Sequence, residues 1–337
     1  MADAHPYDRL TPDTVLDALV PLGLHGDGRL MALSSYENRV YQVELEDPLD
    51  GHAEVVVKFY RPGRWTDDEI AEEHAFALEL DAAEVPVVPP LVLGGRTLHH
   101  HEGFSFSVSA RRGGRRPELE DEEVLEWIGR FLARIHTVGA ARPFGSRPLL
   151  DLHGFGTSSR DWLLTNQAIP LDVQAAWHGT CDAALAAIDR ALGGAAGRGY
   201  AQRFALLRLH GDCHPGNILW TPDQGPHFVD LDDARTGPAV QDLWMLLSGE
   251  RAQRQRQLGA LLDGYEQVRD FDRDELALIE PLRTLRLIHY SAWLARRWDD
   301  PAFPAAFPWF GSSDYWKGQV QMLEEQLEAM AEPPLVA

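Results

Sequence analysis

Between residues 206 and 233 the chain reads as an apolar strand entering a polar loop, a short strand, a turn and a second short strand that ends in carboxylates. The stretch is Leu206-Leu207-Arg208-Leu209, then His210-Gly211-Asp212-Cys213-His214-Pro215-Gly216-Asn217, then Ile218-Leu219-Trp220, and finally Phe228-Val229-Asp230-Leu231-Asp232-Asp233. Asp and Asn often do no more than shape a turn. Here the order of elements constrains them further, because Asp212, Asn217 and Asp230 all fall at the ends of adjacent short strands. Phosphoryl transfer needs such a set: one carboxylate to orient the attacking hydroxyl and accept its proton, and an amide oxygen plus a second carboxylate to hold magnesium against nucleotide phosphates. Asp212 and Asp230 are the catalytic candidates. Asn217 and Asp230 are the metal candidates, with Asp232 as a possible replacement or helper.

Such chemistry also calls for an upstream strand lysine that reaches the phosphates. Val55-Val56-Val57-Lys58-Phe59-Tyr60 supplies one, and the chain has only one other lysine, Lys317, every other Lys/Arg position being arginine. A compact ammonium kept within an apolar strand, in a chain that otherwise uses the broad guanidinium fork, singles out Lys58. Thr66-Asp67-Asp68-Glu69 has the capping-box pattern and predicts a helix from about residue 67. Ile70, Phe76, Ala77 and Leu80 fall on one face of it, and Glu73 lies within that stripe. A carboxylate on a buried face wants a cation, so Glu73 is the expected partner of Lys58, with Glu72 second. The loop before the lysine strand, Leu33-Ser34-Ser35-Tyr36, has no glycine-rich phosphate fingerprint. Ser35 or nearby amides are the candidates there for binding nucleotide phosphate.

Bulk properties narrow the remaining classes. With 52 acidic against 31 basic residues the formal net charge is −21, which argues against nucleic acid and membrane surfaces as partners. Two cysteines, Cys181 and Cys213, make no disulfide framework and suit a reducing compartment. No signal-like start or membrane-length apolar run is evident, so a cytoplasmic protein is expected. Strand candidates at 30–34, 39–45, 54–60, 91–93 and 104–109, with the helix at 67–82 among them, predict a small antiparallel sheet packed on a helix. Helices at 121–138, 158–192, 239–248, 253–269, 273–297 and 313–330 make the remainder mainly helical. The expected organisation is α+β and bilobal: a nucleotide-binding lobe over 1–110 and a catalytic and substrate lobe over 111–337, with a hinge near 109–114 meeting adenine. Arg111, Arg112, Arg115 and Arg116 read best as a solvated linker, and His99-His100-His101 as a polar hairpin tip. The aromatic residues from Trp293 to Trp316 read first as core, with a substrate wall as the alternative.

The pattern H-G-D-x-x-x-x-N, strand, turn, V-D-L-D resembles the catalytic and metal-binding segments of kinases, with Gly211 where protein kinases usually carry arginine. That variant is similar to the aminoglycoside phosphotransferase and choline kinase branch of the kinase-like fold. The stretches S-S-Y-E-N-R-V-Y at 34–41, V-V-K-F-Y-R-P at 56–62 and G-P-A-V-Q-D-L-W-M-L-L at 237–247 extend the resemblance to bacterial Ser/Thr protein kinases within that superfamily. The resemblance covers the chain almost end to end. It implies ATP and Mg2+ as cofactors, Asp212 as proton acceptor, Asn217 and Asp230 on magnesium, and Ser35 at ATP. It further implies a protein acceptor with Ser or Thr, a role in oxidative and envelope stress, and a cytoplasmic monomer. Two departures matter: Asp230-Leu231-Asp232 stands where D-F-G would be, and no A-P-E segment follows, so control by activation-loop phosphorylation is not expected. Asp242 is expected to order the catalytic loop through the backbone.

Two rivals stay open. A small-molecule kinase of the aminoglycoside, choline or homoserine type would use the same residues, because the catalytic set sees only a hydroxyl. A nucleotide-sensing pseudokinase would dock a partner instead; the complete set of Lys58, Asp212, Asn217 and Asp230 argues against it. Cys213, beside the expected base, raises the further possibility of redox control.

Overall fold

Val55, Val57 and Phe59 are fully buried, while Val56 and Lys58 between them turn to the opposite face, as the two-residue period of a strand requires. That alternation organises the first of two units in a computed structural model that describes residues 7–194, 197 and 199–336. The first unit comprises residues up to Pro117, Phe144–Arg147 and Gly216–Asp233; the second comprises Glu118–Pro143, Pro148–Pro215 and the chain from Ala234 onward. The segment that carries Asn217 and Asp230 therefore clusters with the sheet that carries Lys58, although it lies more than a hundred positions later.

In the first unit α1 (Pro12–Leu19) precedes β1 (Gly26–Leu33), β2 (Arg39–Leu49) and β3 (His52–Phe59), then α2 (Asp67–Ala82), β4 (His99–His101) and β5 (Phe104–Ala110). The strands form one antiparallel sheet in the order β1-β2-β3-β5-β4. One face of it packs Val43, Val55, Val57, Phe59, Phe104 and Phe106 against Val15 and Leu19 of α1. Each such large apolar side chain contributes about 1.5–3 kcal/mol by leaving water. α2 begins with the expected capping box between Thr66 and Glu69 and buries Ile70, Glu73, His74, Phe76, Ala77 and Leu80. The three histidines are not the hairpin tip: they form edge strand β4, and the turn falls at Glu102 and Gly103, both at positive φ. Residues 91–93 form no strand. Pro86, Pro89 and Pro90 just before them lack N–H donors, and the run makes isolated bonds such as Leu91 N–H to the Val108 carbonyl at 2.7 Å. A short hairpin, Ile218–Thr221 paired with Gly225–Phe228, completes this unit.

The second unit is mainly helical: α3 (Glu122–Gly139), α4 (Ser158–Thr165), α5 (Leu171–Ala191), α6 (Tyr200–Arg203), α7 (Val240–Trp244), α8 (Arg251–Tyr265), α9 (Ile279–Arg296), α10 (Ala302–Ala306) and α11 (Ser313–Ala331). A two-stranded ribbon pairs Leu207–Leu209 with Arg235–Gly237. α3 and α8 approach so closely that only glycine fits at the contact. A Cβ at Gly129 would stand 1.9 Å from the Leu261 carbonyl oxygen, and one at Gly264 would stand 2.0 Å from that of Glu126. Most of the C-terminal aromatics are packed rather than displayed. Trp177 and Trp316 meet edge to face at 5.6 Å, and Phe303 is fully buried against Trp293. Among the described residues no helix is long and apolar enough to cross a membrane.

Candidate active site

The face of the sheet opposite α1 lines a pocket of about 390 Å3 in the first unit. Register explains which residues share it. Val40 lies opposite Lys58 across β2 and β3, and Lys58 and Val56 lie opposite Ser107 and Ser109 across β3 and β5. All five reach the pocket, together with Ser35 from the β1–β2 turn, Glu73 and His74 from α2, and Arg111, Arg112 and Gly114 from the segment after β5. Asn217 and Asp230 enter from the short hairpin. Ile218 pairs with Phe228, and Val229 N–H bonds the Asn217 carbonyl at 3.0 Å, so the two residues stand side by side at the open end. Asp230 is held at φ 59°, a left-handed conformation that few non-glycine residues other than Asn and Asp adopt. Of the seven residues assigned from sequence to catalysis, nucleotide or metal, six thus lie in one unit, and five of them line its pocket: Ser35, Lys58, Glu73, Asn217 and Asp230.

The sixth, Asp232, is engaged differently. Lys58 Nζ stands 2.9 Å from Asp230 Oδ1 and 3.2 Å from Asp232 Oδ1. Asp232 Oδ2 accepts from Asn38 Nδ2 at 3.1 Å and from the guanidinium of Arg64, which also holds Asp233 at 2.9 Å. The Asp232 side chain is only 6% exposed, whereas that of Asp230 is 51% exposed. With both oxygens committed to cations and an amide, Asp232 is placed as the hub of an ion-pair network; the exposed carboxylate is Asp230. Burial alone would raise the Asp232 carboxyl, but Arg64 and Lys58 override it and hold the group down at about 2. Burial likewise opposes the Lys58 charge, and Asp230 and Asp232 override it, so the ammonium is held charged well above its ordinary range.

Lys58 does not pair directly with Glu73. The glutamate is buried in the same pocket, and burial pushes its carboxyl up to about 7 despite the pull of Lys58 and Arg147. Glu72 is excluded as the partner, since its carboxylate accepts from the backbone amides of Gly145, Ser146 and Arg147. Behind Glu73, the Tyr60 hydroxyl meets His74 Nε2 at 2.7 Å and Ser107 Oγ at 3.2 Å, and His74 Nδ1 meets Thr97 Oγ1 at 2.9 Å. Burial drives the His74 pKa down to about 3, so this relay is neutral.

Asp212 belongs to the second unit, on the loop that follows strand Leu207–Leu209. Gly211 at φ 84° turns the chain just before it. Asp242 of α7 is fully buried and accepts from His210 N–H at 2.9 Å and Gly211 N–H at 2.8 Å. Its Oδ2 also faces His136 Nε2 at 3.1 Å, and His136 Nδ1 meets the Tyr265 hydroxyl at 2.9 Å. Burial would raise the Asp242 carboxyl, yet these bonds hold it below its ordinary value. The expected backbone-ordering contacts of Asp242 are therefore present. Asp212 itself is paired with Arg286 of α9 at 2.7 Å. Cys213, next to it, is fully buried, and burial together with Asp242 and Asp212 pushes its thiol well up, which opposes thiolate chemistry and with it the redox reading.

Asn38, Arg64 and Arg286 were not singled out from sequence. Asn38 and Arg64 lie 194 and 168 positions from Asp232, and Arg286 lies 74 from Asp212, distances at which spacing carries no contact information.

The family model described as "Phosphotransferase enzyme family" (APH) matches residues 29–279. The chain is 46% identical over 332 residues to "Stress response kinase A" of Escherichia coli (strain K12), covering 98% of this chain and 97% of that protein. It is 46% identical over 333 residues to "Serine/threonine protein kinase RdoA" of Salmonella typhimurium, with 99% and 97% covered. Among solved structures, amicoumacin kinase hAmiN in complex with AMP-PNP, Ca2+ and Ami aligns with a TM-score of 0.71 at 17% identity, covering 98% of this chain and 96% of that one. The choline kinase LicA from Streptococcus pneumoniae aligns with a TM-score of 0.62 at 13% identity, covering 94% and 98%. At those identities the structures speak for the fold alone, and it is the kinase-like fold expected from the sequence: a small antiparallel sheet with a helix, and a mainly helical remainder.

Proposed function

Because this chain belongs to the phosphotransferase enzyme family, we propose that it is an ATP- and magnesium-dependent kinase that phosphorylates Ser or Thr hydroxyls of proteins, acting in a bacterial stress response as a cytoplasmic monomer. The observation that carries the reading is the half-buried ammonium of Lys58, held between Asp230 and Asp232 in a pocket that also presents Asn217. A fixed cation with a neighbouring amide oxygen and an exposed carboxylate is what a polyphosphate and a hard divalent ion require together. The near-complete identity span with proteins called stress response kinase and serine/threonine protein kinase favours a protein acceptor over the small molecules named for the far more distant solved structures.

In this reading Ser107 to Gly114 and Val56 form the walls for the adenine, Ser35 and Lys58 bind phosphate oxygens, and Glu73 tunes the charge around Lys58 from within the pocket. Asn217 and Asp230 would hold magnesium, which when bound neutralises charge on the phosphates. Among the described residues no group of three His, Cys, Asp or Glu side chains is gathered to hold a metal by itself. An ion of the magnesium type takes one or two protein carboxylates and completes its shell with water and substrate phosphate, and Asp230 with Asn217 would supply the protein share. Asp232 supports the site through Arg64, Asn38 and Lys58 rather than as a metal ligand. Asp212 orients the acceptor hydroxyl and takes its proton as the new oxygen–phosphorus bond forms and the bond from the γ-phosphorus to the β–γ bridging oxygen breaks, releasing ADP.

The test is incubation of the full-length protein with radiolabelled ATP and magnesium, alone, with a generic protein substrate, and with small alcohols and aminoglycosides. Label on protein is expected. Label confined to a small molecule would replace the protein acceptor and keep the site, and no transfer to any acceptor would overturn the kinase reading.

A further inference from the structure

Asp212 does not present a free carboxylate. Arg286 Nη2 stands 2.7 Å from its Oδ1, and His214 Nε2 stands 3.6 Å from its Oδ2. Arg286 comes from α9, a helix whose charge runs against the rest of the chain. It carries Arg283, Arg286 and Arg296 against one carboxylate, Glu280, in a protein of net charge −21. Glu280 is itself consumed by Arg254 at 2.9 Å and Arg283 at 3.2 Å. Three and four residues beyond Arg286 come His289 and Tyr290, and Trp293 follows at seven, a single helical stripe that is half-buried throughout. His289 stacks on Phe155 at 4.1 Å and Tyr290 stacks on Trp293 at 5.6 Å. The stripe that begins at the Asp212 carboxylate is therefore cationic and aromatic, with no acidic member.

We infer that Arg286 is an acceptor-selecting residue, which admits hydroxyls with neutral or anionic surroundings to Asp212 and disfavours those that carry an ammonium beside the hydroxyl. The inference rests on the role proposed above for Asp212. The physical reason is that the carboxylate which would attract an ammonium is already neutralised by a guanidinium, so an incoming cation meets like charge without a vacant partner. Discrimination by a misplaced charge is a common route to specificity, and it acts against the wrong ligand rather than for the right one.

The experiment uses the full-length protein, Arg286→Gln and Arg286→Lys, with radiolabelled ATP and magnesium. The acceptors are three serine peptides identical except for Asp, Ala or Lys flanks, together with glycerol and ethanolamine. For the wild type, kcat/KM on the Lys-flanked peptide is expected to be about tenfold below that on the Ala-flanked one, and ethanolamine below glycerol. Arg286→Gln should shrink both gaps to about threefold or less with the KM for ATP unchanged, and Arg286→Lys should keep them. Equal discrimination in Arg286→Gln, a wild-type preference for the cationic acceptors, or transfer to none of the five would overturn the inference. The two readings separate cleanly. Transfer to glycerol but to no peptide, with Arg286→Gln admitting ethanolamine, removes the protein acceptor and retains Arg286. Peptide labelling whose selectivity ignores Arg286 does the reverse.

Discussion

Each unit is built around a buried aspartate, and the two are stabilised by different means. Asp232 is neutralised by cationic side chains, Arg64 and Lys58, with help from Asn38. Asp242 is held by hydrogen bonds from two backbone amides and faces a histidine that itself meets Tyr265. Burying a carboxylate is costly either way, and each solution suits its surroundings. Amides of the chain cannot leave, so Asp242 makes a fixed scaffold for the loop that carries Asp212. Side-chain cations are not tied to one partner in that way, and under the proposed function the Asp232 network would share Lys58 with an incoming phosphate. Lys58 is the link: it is shared between buried Asp232 and exposed Asp230, and only the second is placed to trade partners.

The largest effect that would sharpen this contrast lies on the loop that Asp242 holds. Asp212→Ala should lower phosphoryl transfer by about 10^3-fold or more while nucleotide binding and thermal stability stay near wild type. Unaltered turnover would remove Asp212 from the mechanism. Asp242→Ala should lose activity and fold stability together, by about 3–5 kcal/mol in chemical denaturation, because it strands two amides and His136 in the core. A variant of normal stability would break the scaffold reading.

Asp232→Asn should cost less, about 2 kcal/mol, since Arg64 keeps Asp233, and it should change the acid limb of the stability curve. The folded-state carboxyl at about 2 lies below its ordinary 3.8, so the wild-type contribution is present above the ordinary value and is lost as pH falls toward 2. Denaturation midpoints measured across that window should fall less steeply in Asp232→Asn; parallel slopes would show that the network does not titrate. Glu73 has the opposite sign. Its carboxyl is raised from 4.5 to about 7, so its contribution is full below 4.5 and declines as pH rises toward 7. Glu73→Gln should flatten that upper limb by a smaller amount, and an unchanged slope between these values would place the Glu73 titration elsewhere.

Legibility from sequence followed range. The capping box at Thr66, the strand alternation around Lys58 and the hairpin that brings Asn217 beside Asp230 are local patterns, and each appears where the residues predict. The prolines before Leu91 carried a local signal as well, and reading the run as apolar strand overlooked it. The partnership of Lys58 was legible only in kind. A carboxylate on a buried helix face called for a cation, and the sequence paired Glu73 with Lys58, whereas the Lys58 contacts go to Asp230 and Asp232, 172 and 174 positions away.

By itself, then, the sequence determined which residue types could carry phosphoryl chemistry and the local geometry of the turns that present them, because hydrogen-bond patterns and side-chain periodicity act over a few residues. Only tertiary structure decided how the charges pair: that Asp232 is enclosed by Arg64 and Asn38, that Asp230 stays exposed, and that Arg286 reaches Asp212. Pairing depends on which side chains burial brings within a few ångströms, and a chain of one strong sign with 31 basic residues allows many pairings that its order does not distinguish.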